Sequence, residues 1–272
     1  MHNRRFDTFE EFEAACAPLG YSPAFVLSSN FPLHGHLIPD MVKRGYNVNA
    51  LVAESSNMLH FACDYHDAES IAVLVAFGAD PSIRRHNADV YDILITGAVS
   101  FVGWRRSLDA VISVYPEGLR RESNGGKCPI DTAIRVERLD IVRVLVEAGC
   151  PIDSQTMKLA VSAVDNPRNY ESTLSKNVCR YLVEHGGRIG DEPDPDFIKD
   201  GKGYKFYLSV VAAVERCIGA AVIIIGLSRV GGRVHGNGRD ALRLVAREVL
   251  KSKSFNDWHG KMDWLEKRMK KF

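Results

Sequence analysis

Apolar residues recur along the chain in short blocks with helical spacing, and the same phrase ends several of these blocks. An apolar helical pattern runs into a small residue and a glycine, and a short polar segment follows. The phrase occurs around Gly45, Gly78, Gly149 and Gly186. Successive glycines lie 33, 71 and 37 residues apart, so the middle interval fits two units of about 33 residues with a small insertion. The pattern predicts a tandem array of helical units.

The unit missing from this series lies between Gly78 and Gly149. Residues 107–115 have the apolar helical pattern, and residues 116–118 (Pro-Glu-Gly) stand where the glycine phrase belongs. This third unit carries extra residues around 101–106. Insertions of this kind map to loops in repeat proteins.

A second pattern precedes each glycine phrase. Residues 57–62 read N-M-L-H-F-A, residues 128–133 read C-P-I-D-T-A, and residues 89–94 are a weaker copy. The first two resemble the T-P-L-H-x-A opening of the ankyrin repeat, and the likeness to that family extends over about residues 42–189. It implies an all-α ankyrin-repeat solenoid of helix-turn-helix units with short hairpin loops. It also implies that Gly78 and Gly149 close helices in the left-handed conformation.

The divisions of the chain follow from the composition. Phe9, Phe12 and Cys16 have helical spacing behind a cap at Asp7 or Thr8, so residues 1–41 are predicted to form a degenerate unit that caps the stack. Irregular repeats fill 42–190, with a compressed hairpin at 153–156 and an insertion at 165–170. An acidic linker with two prolines spans 191–203, and 204–272 form a C-terminal helical region.

The C-terminal region contains three helical patterns, at about 204–230, 239–251 and 256–271. Glu215 and Arg216 interrupt its apolar stretch, which predicts a buried helix and no membrane span. Residues 217–221, Gly226, 239–246 and Trp258 resemble the segments that follow ankyrin repeats in large DNA viruses of amoebae.

A second likeness of this region is to the F-box-like helix that ends many poxviral ankyrin proteins. It rests on Asp240, Leu242, Val245, Ala246 and Val249. The Leu-Pro that defines such a helix is absent, because Asn-Gly occupies 237–238.

The composition and the absence of certain motifs argue against several classes of function. The net charge of +1 argues against a general nucleic-acid binder. Six scattered cysteines and an N-terminus without an apolar signal region predict reduced, packed thiols in an intracellular, cytoplasmic protein. His34 and His36 are expected to be solvated in a loop. Because no nucleotide loop, metal-ligand spacing or nucleophile–base pattern is found, we predict a protein that is not an enzyme and needs no cofactor or metal.

The surface is therefore the candidate functional feature. Ankyrin stacks bind partners with their hairpin tips and the first helix of each unit, which together form a concave groove. The expected tips carry paired arginines, which favour a protein partner with an acidic surface, and Trp104 is the candidate aromatic anchor. The candidate partner-binding residues are Arg84, Arg85, His86, Trp104, Arg120, Arg121 and Glu122.

Two other functions stay open at this point. In one, the F-box-like helix recruits ubiquitin-ligase components, which makes the chain an adaptor. In the other, the basic C-terminal helix around Lys261–Lys271 contacts nucleic acid. Neither alternative involves a small-molecule substrate. If the viral likeness holds, the partner is a host protein in the host cytoplasm.

Overall fold

The structure is a computed structural model that describes residues 4–53, 55–120, 128–165, 172–190 and 201–229, with side chains on the last helix described to Glu215. The described chain is mostly helical, with a short two-stranded antiparallel sheet and a separate antiparallel bridge between Arg85 and Ala88. The helices and strands are α1 (Phe9–Cys16), α2 (Pro23–Ser28), α3 (Phe31–His34), α4 (Ile38–Lys43), β1 (Leu51–Ala53), β2 (Ser56–Asn57), α5 (Met58–Asp64), α6 (Ala68–Ala76), α7 (Val90–Gly97), α8 (Trp104–Val114), α9 (Pro129–Arg135), α10 (Leu139–Glu147), α11 (Ser154–Asp165), α12 (Ser172–Glu184) and α13 (Lys202–Arg229).

The helices form two layers. One layer, the inner helices, consists of α2, α5, α7, α9 and α11, each packed on the next. The outer helices are α4, α6, α8, α10 and α12, and α6, α8, α10 and α12 each pair with the inner helix before them in the chain. One continuous apolar core runs between the layers from Phe6 to Val210. This arrangement is a solenoid of helix pairs, as the repeat pattern predicts.

The glycine phrase has the predicted structural role. Gly45, Gly78, Gly149 and Gly186 all have left-handed backbones, with φ between 87° and 94°. After α6, the amide of Gly78 donates to the carbonyl of Val75 and the next amide donates to the carbonyl of Leu74, at 3.0 and 2.9 Å. This pair of bonds closes the helix, and the left-handed backbone makes glycine the preferred residue there.

Gly118 differs from these four glycines. It lies in a 3-10 helix, Pro116–Arg120, and it is not among the residues with positive φ. A Cβ atom at this position would meet the rings of Tyr115 and Tyr91. Close packing against two tyrosines therefore explains this glycine, and the expectation of a glycine-phrase ending there is wrong.

The signature residues at the start of each inner helix join neighbouring units. The Asn57 side chain accepts from the amide of His60, the imidazole Nδ1 accepts from the amide of Asn57, and Nε2 lies 3.0 Å from the carbonyl of Ile83 in the next unit. Two units later, Asp131 caps α9 and accepts from the hydroxyl of Thr156 on α11 at 2.8 Å. The histidine or aspartate at this position is thus a link between repeats.

Two loop predictions are wrong. Residues 153–156 are not a hairpin, because Asp153 accepts from the amide of Thr156 at 2.7 Å and so caps the start of α11. His34 is not solvated, whereas His36 is exposed but lies in a 3-10 helix and not in a loop. His34 ends α3 with 1% exposure, its ring packed near Phe6 and Phe12, and His36 contacts the Phe6 carbonyl at 2.9 Å. Both histidines hold the N-terminal arm against the stack.

The two ends of the repeat array are covered by helices. Thr8 caps α1, and Phe9, Phe12 and Cys16 on that helix are buried, as predicted. At the other end, α13 packs on both α11 and α12, and the Tyr207 hydroxyl accepts from the amide of Ile189 at 3.1 Å. The helix predicted at 204–230 is therefore present. The patterns at 239–251 and 256–271 lie outside the described residues.

Two further predictions concern the cysteines and the apolar stretch of α13. The five cysteines with described side chains are buried free thiols, as expected. Burial raises the pKa of the Cys150 and Cys179 thiols to about 12, which leaves them protonated and unreactive at neutral pH. None of the helices in the described ranges combines the length and the hydropathy that crossing a membrane requires.

Candidate interaction surface

Arg84, Arg85 and His86 lie in a tight hairpin immediately before α7. Arg85 and Ala88 exchange two backbone hydrogen bonds of 2.9 Å, and His86 and Asn87 between them have φ of 49° and 79°. Two successive positive φ values are the signature of a type I′ turn, the connection that matches the twist of a two-stranded hairpin. His86 is exposed at the tip, so this predicted tip is confirmed as a hairpin.

The tips of adjacent units touch. Nε2 of His86 lies 2.8 Å from the hydroxyl of Ser55, in the turn between β1 and β2. This hydrogen bond connects the hairpin tips of two neighbouring units at the edge of the solenoid.

Arg85 is turned back toward the stack. Its guanidinium makes a two-pronged ion pair with Asp64 at the end of α5, with Nη2 to Oδ1 at 2.9 Å. The hydrogen bond to Asp64 raises the pKa of Arg85 above its ordinary value. The charge of Arg85 is therefore compensated within the protein by Asp64.

Arg120 lies at the same edge as this hairpin. Helix α8 runs back along α7, and the hydroxyl of Tyr91, near the start of α7, donates to the carbonyl of Tyr115 after the end of α8. Arg120 follows in the 3-10 helix and is exposed. Its predicted companions Arg121 and Glu122 lie outside the described residues.

Trp104 lies elsewhere. It is the first residue of α8, so it sits at the end of the α7–α8 pair opposite to the hairpin. The indole is half-buried against the core, and the guanidinium of Arg138 lies 5.3 Å from its ring centre. Arg138 also donates to the carbonyl of Ala98 at 2.8 Å. Trp104 is thus in a helix, not in a loop insertion, and it is separated from the arginine tips by the length of α7.

An aromatic surface at the first two inner helices, α2 and α5, was not predicted from the sequence. We call Tyr21, Phe25, Phe61 and Tyr65 the aromatic patch. Tyr21 and Tyr65 are 61% and 39% exposed, and the two phenylalanines are half-buried. Ring centres lie 5.4 Å apart for Tyr21–Phe25 and 6.4 Å apart for Phe25–Phe61. The signal was available as two aromatic pairs, each spaced by four residues.

The insertion predicted at 101–106 coincides in part with the connector between α7 and α8. This connector has six residues, Ala98 to Gly103, whereas the corresponding connectors after α5 and α9 have three. Val102 at its tip is fully exposed, and the Phe101 ring stacks on His66 at 4.8 Å. Phe101 therefore holds the connector against His66, and Val102 presents an apolar side chain to solvent.

Metal-binding geometry is not found in the part of the chain that the structure describes, where no three His, Cys, Asp or Glu side chains converge. His60 is buried in its capping role, and burial lowers the pKa of its imidazole. The described surface offers a partner hydrogen-bonding groups, charged side chains and apolar contacts.

Solved structures share this fold. The ankyrin-repeat protein EF0377 superposes with a TM-score of 0.54 at 18% identity, covering 70% of this chain and 96% of its own. An ankyrin-repeat domain from Acinetobacter baumannii AYE gives 0.55 at 17% identity, with 71% and 97% covered. The ankyrin-repeat domain of human ASB11 gives 0.52 at 17% identity, with 70% and 82% covered.

Comparison of the sequence with protein-family models and with curated proteins gives no match. The fold is instead recognised from the two-layer stack of helix pairs, the left-handed glycines, the capping histidine and aspartate, and the superpositions. Together they identify this chain as one with the fold of an ankyrin-repeat domain.

Proposed function

We propose that this chain is a non-catalytic protein–protein interaction module that binds its partner on the concave face. By concave face we mean the exposed sides of the inner helices α2, α5, α7, α9 and α11 together with the hairpin tips before them. The observation that carries the proposal is the continuity of this face, because each inner helix packs on the next and adjacent tips are bonded through Ser55 and His86. A rigid, extended surface of this kind suits recognition of another macromolecule.

The partner that we propose has an acidic region. Arg120 is exposed at the hairpin edge, and Arg135 is exposed at the end of the inner helix α9. Guanidinium groups bind carboxylates in pairs of parallel hydrogen bonds, which favours an acidic partner. Arg84 and Arg85 lie in the hairpin at the same edge, and Arg85 is already paired with Asp64. We further propose an intracellular partner, which is a host protein if the likeness to viral sequences holds.

The test is a comparison of partners captured by the full-length chain and by Arg84→Glu/Arg120→Glu, identified by mass spectrometry. The matched control is Arg105→Glu/Arg106→Glu, which reverses two exposed charges at the start of α8, away from the hairpins. A partner that is lost only with the first variant supports the proposal. A partner lost equally with both variants, or with neither, contradicts the placement of acidic recognition at the hairpin edge.

A deletion separates this proposal from the two alternatives. The F-box-like helix and the basic terminal helix both fall after Arg229, so a chain ending there lacks both while keeping α13, which covers α11 and α12. If the deletion removes ubiquitin-ligase subunits or salt-sensitive nucleic-acid binding, the C-terminal segment carries that activity. Retention of the same protein partner by the shortened chain supports the concave face.

A further inference from the structure

The aromatic patch is a two-by-two array across neighbouring helices. Tyr21 and Phe25 are four residues apart at α2, and Phe61 and Tyr65 are four residues apart at α5. The Phe25 and Phe61 rings meet edge to face at 90° across the gap between the helices. The Tyr65 hydroxyl donates to the carbonyl of Ser29 at 3.0 Å, so the second row is tied to the first. The array is held in place by contacts within the protein.

The surroundings of the patch carry little charge. Residues 17–33 include no Asp, Glu, Lys or Arg. On α5, residues 58–63 have only His60 as a titratable side chain other than a thiol, and it is buried with a lowered pKa. Asp64, which precedes Tyr65 in the sequence, is paired with Arg85. Leu19, which precedes α2 in the chain, and Leu51, on the strand β1 that contacts α2, are also exposed.

Charge and shape together restrict what can cover this surface. A charged or strongly polar segment placed over the rings would lose water without gaining a partner, which is costly. Aromatic rings with fixed positions offer a large contact area at a small cost in side-chain entropy. Phe25 and Phe61 lie on the packed helices α2 and α5, with Tyr21 just before α2 and Tyr65 just after α5. The surface of two packed helices offers grooves into which the side-chain ridge of a third helix can fit.

We infer that the aromatic patch anchors an amphipathic helix of a protein partner, which lays an uncharged apolar face on Tyr21, Phe25, Phe61 and Tyr65. This inference rests on the proposed function and specifies its partner. The bound helix presents apolar side chains at positions i, i+4 and i+7 to the patch, the recognition mode of an amphipathic helix in a groove. Any acidic residues of the partner lie further along the concave face, toward Arg135 and Arg120.

The probe for this inference is a pool of 18-residue phage-displayed peptides (length chosen as about five helical turns), selected on the full-length chain. The test variant is Tyr21→Ser/Tyr65→Ser, which removes the two most exposed rings. The matched control is Val102→Ser/Leu208→Ser, which also removes two exposed apolar side chains but on the α7–α8 connector and on α13. Tyr21→Phe/Tyr65→Phe keeps the rings and serves as the conservative variant. Thermal unfolding verifies that all variants are folded.

We expect enriched peptides with apolar residues at i, i+4 and i+7 that become helical on binding. Their affinity falls at least roughly tenfold with the Ser pair, as for buried aromatic anchors in other interfaces. It is unchanged with the control and largely kept with the Phe pair. Peptides that ignore the Ser pair but are lost with Arg84→Glu/Arg120→Glu overturn this inference and leave the proposed function standing. If no peptide binds the concave face, or binding depends only on Val102 and Leu208, both fail.

Discussion

The link that His60 makes between two repeats leads to a prediction with a defined magnitude. His60→Ala removes the acceptor for the Asn57 amide and the donor to the Ile83 carbonyl, which the structure places at 3.1 and 3.0 Å. His60 is fully buried, so both groups lose their partners away from water. Each lost partner costs about 1–2 kcal/mol, which gives about 2–4 kcal/mol for the substitution before any cavity is counted.

The assay is urea unfolding followed by circular dichroism, with His86→Ala as the control. His86 is exposed at a hairpin tip and bonds only to Ser55 in the described structure, so its substitution should cost about 0.5 kcal/mol or less. Amide hydrogen exchange shows which part of the protein is destabilised. We expect protection from exchange to be lost first in α5, α6 and the hairpin before α7. Repeats couple mainly to their neighbours. Equal effects of the two substitutions would refute the assignment of His60 as an inter-repeat link.

Three further predictions test other parts of the account. Gly149→Ala, at φ of 91°, should lower stability by about 1 kcal/mol in urea unfolding, and no measurable change would contradict the left-handed closure. Burial, together with the charges of His36 and Arg5, lowers the pKa of His34 in the folded state. As the pH falls, the unfolded chain therefore binds a proton at His34 before the folded protein does. The free energy of unfolding should decrease as the pH drops below about 6.5. His34→Phe should lessen this fall in a urea series from pH 7.5 to 5.5, and an identical pH dependence would count against it. Arg85→Ala should cost no more than about 1 kcal/mol because the ion pair with Asp64 is partly exposed, and a loss of several kcal/mol would show that this estimate neglects a contact.

The parts of the fold that the sequence predicts are those set by local chemistry. A glycine after an apolar helix closes it, and Thr8 before an apolar run caps it, whatever the rest of the chain does. The period of the glycine phrase then identifies the stack. His60 and Asp131 could be recognised as structural because they occupy one position of a repeated motif.

Apart from the local cap that Asp153 makes with Thr156, the parts that were wrong or missed depend mainly on contacts distant in sequence. His34 is buried because Phe6 and Phe12 of another segment cover it, and no local pattern reveals that cover. Trp104 is half-buried because Arg138 of the following unit lies over it. Arg85 appears available in the sequence, yet Asp64 of the preceding unit binds it. The aromatic patch arises only when α2 and α5 pack side by side.

The central claim is that a protein partner binds the concave face, and site-specific photo-crosslinking in cells tests it most directly. A benzophenone amino acid is placed at Thr96 or Arg135, which are exposed on inner helices, and at Ser113 or Glu147, which are exposed on outer helices. The account predicts a discrete crosslinked protein from the first two positions and none from the other two. The same crosslinked protein from Ser113 and Glu147, with none from Thr96 and Arg135, would contradict it.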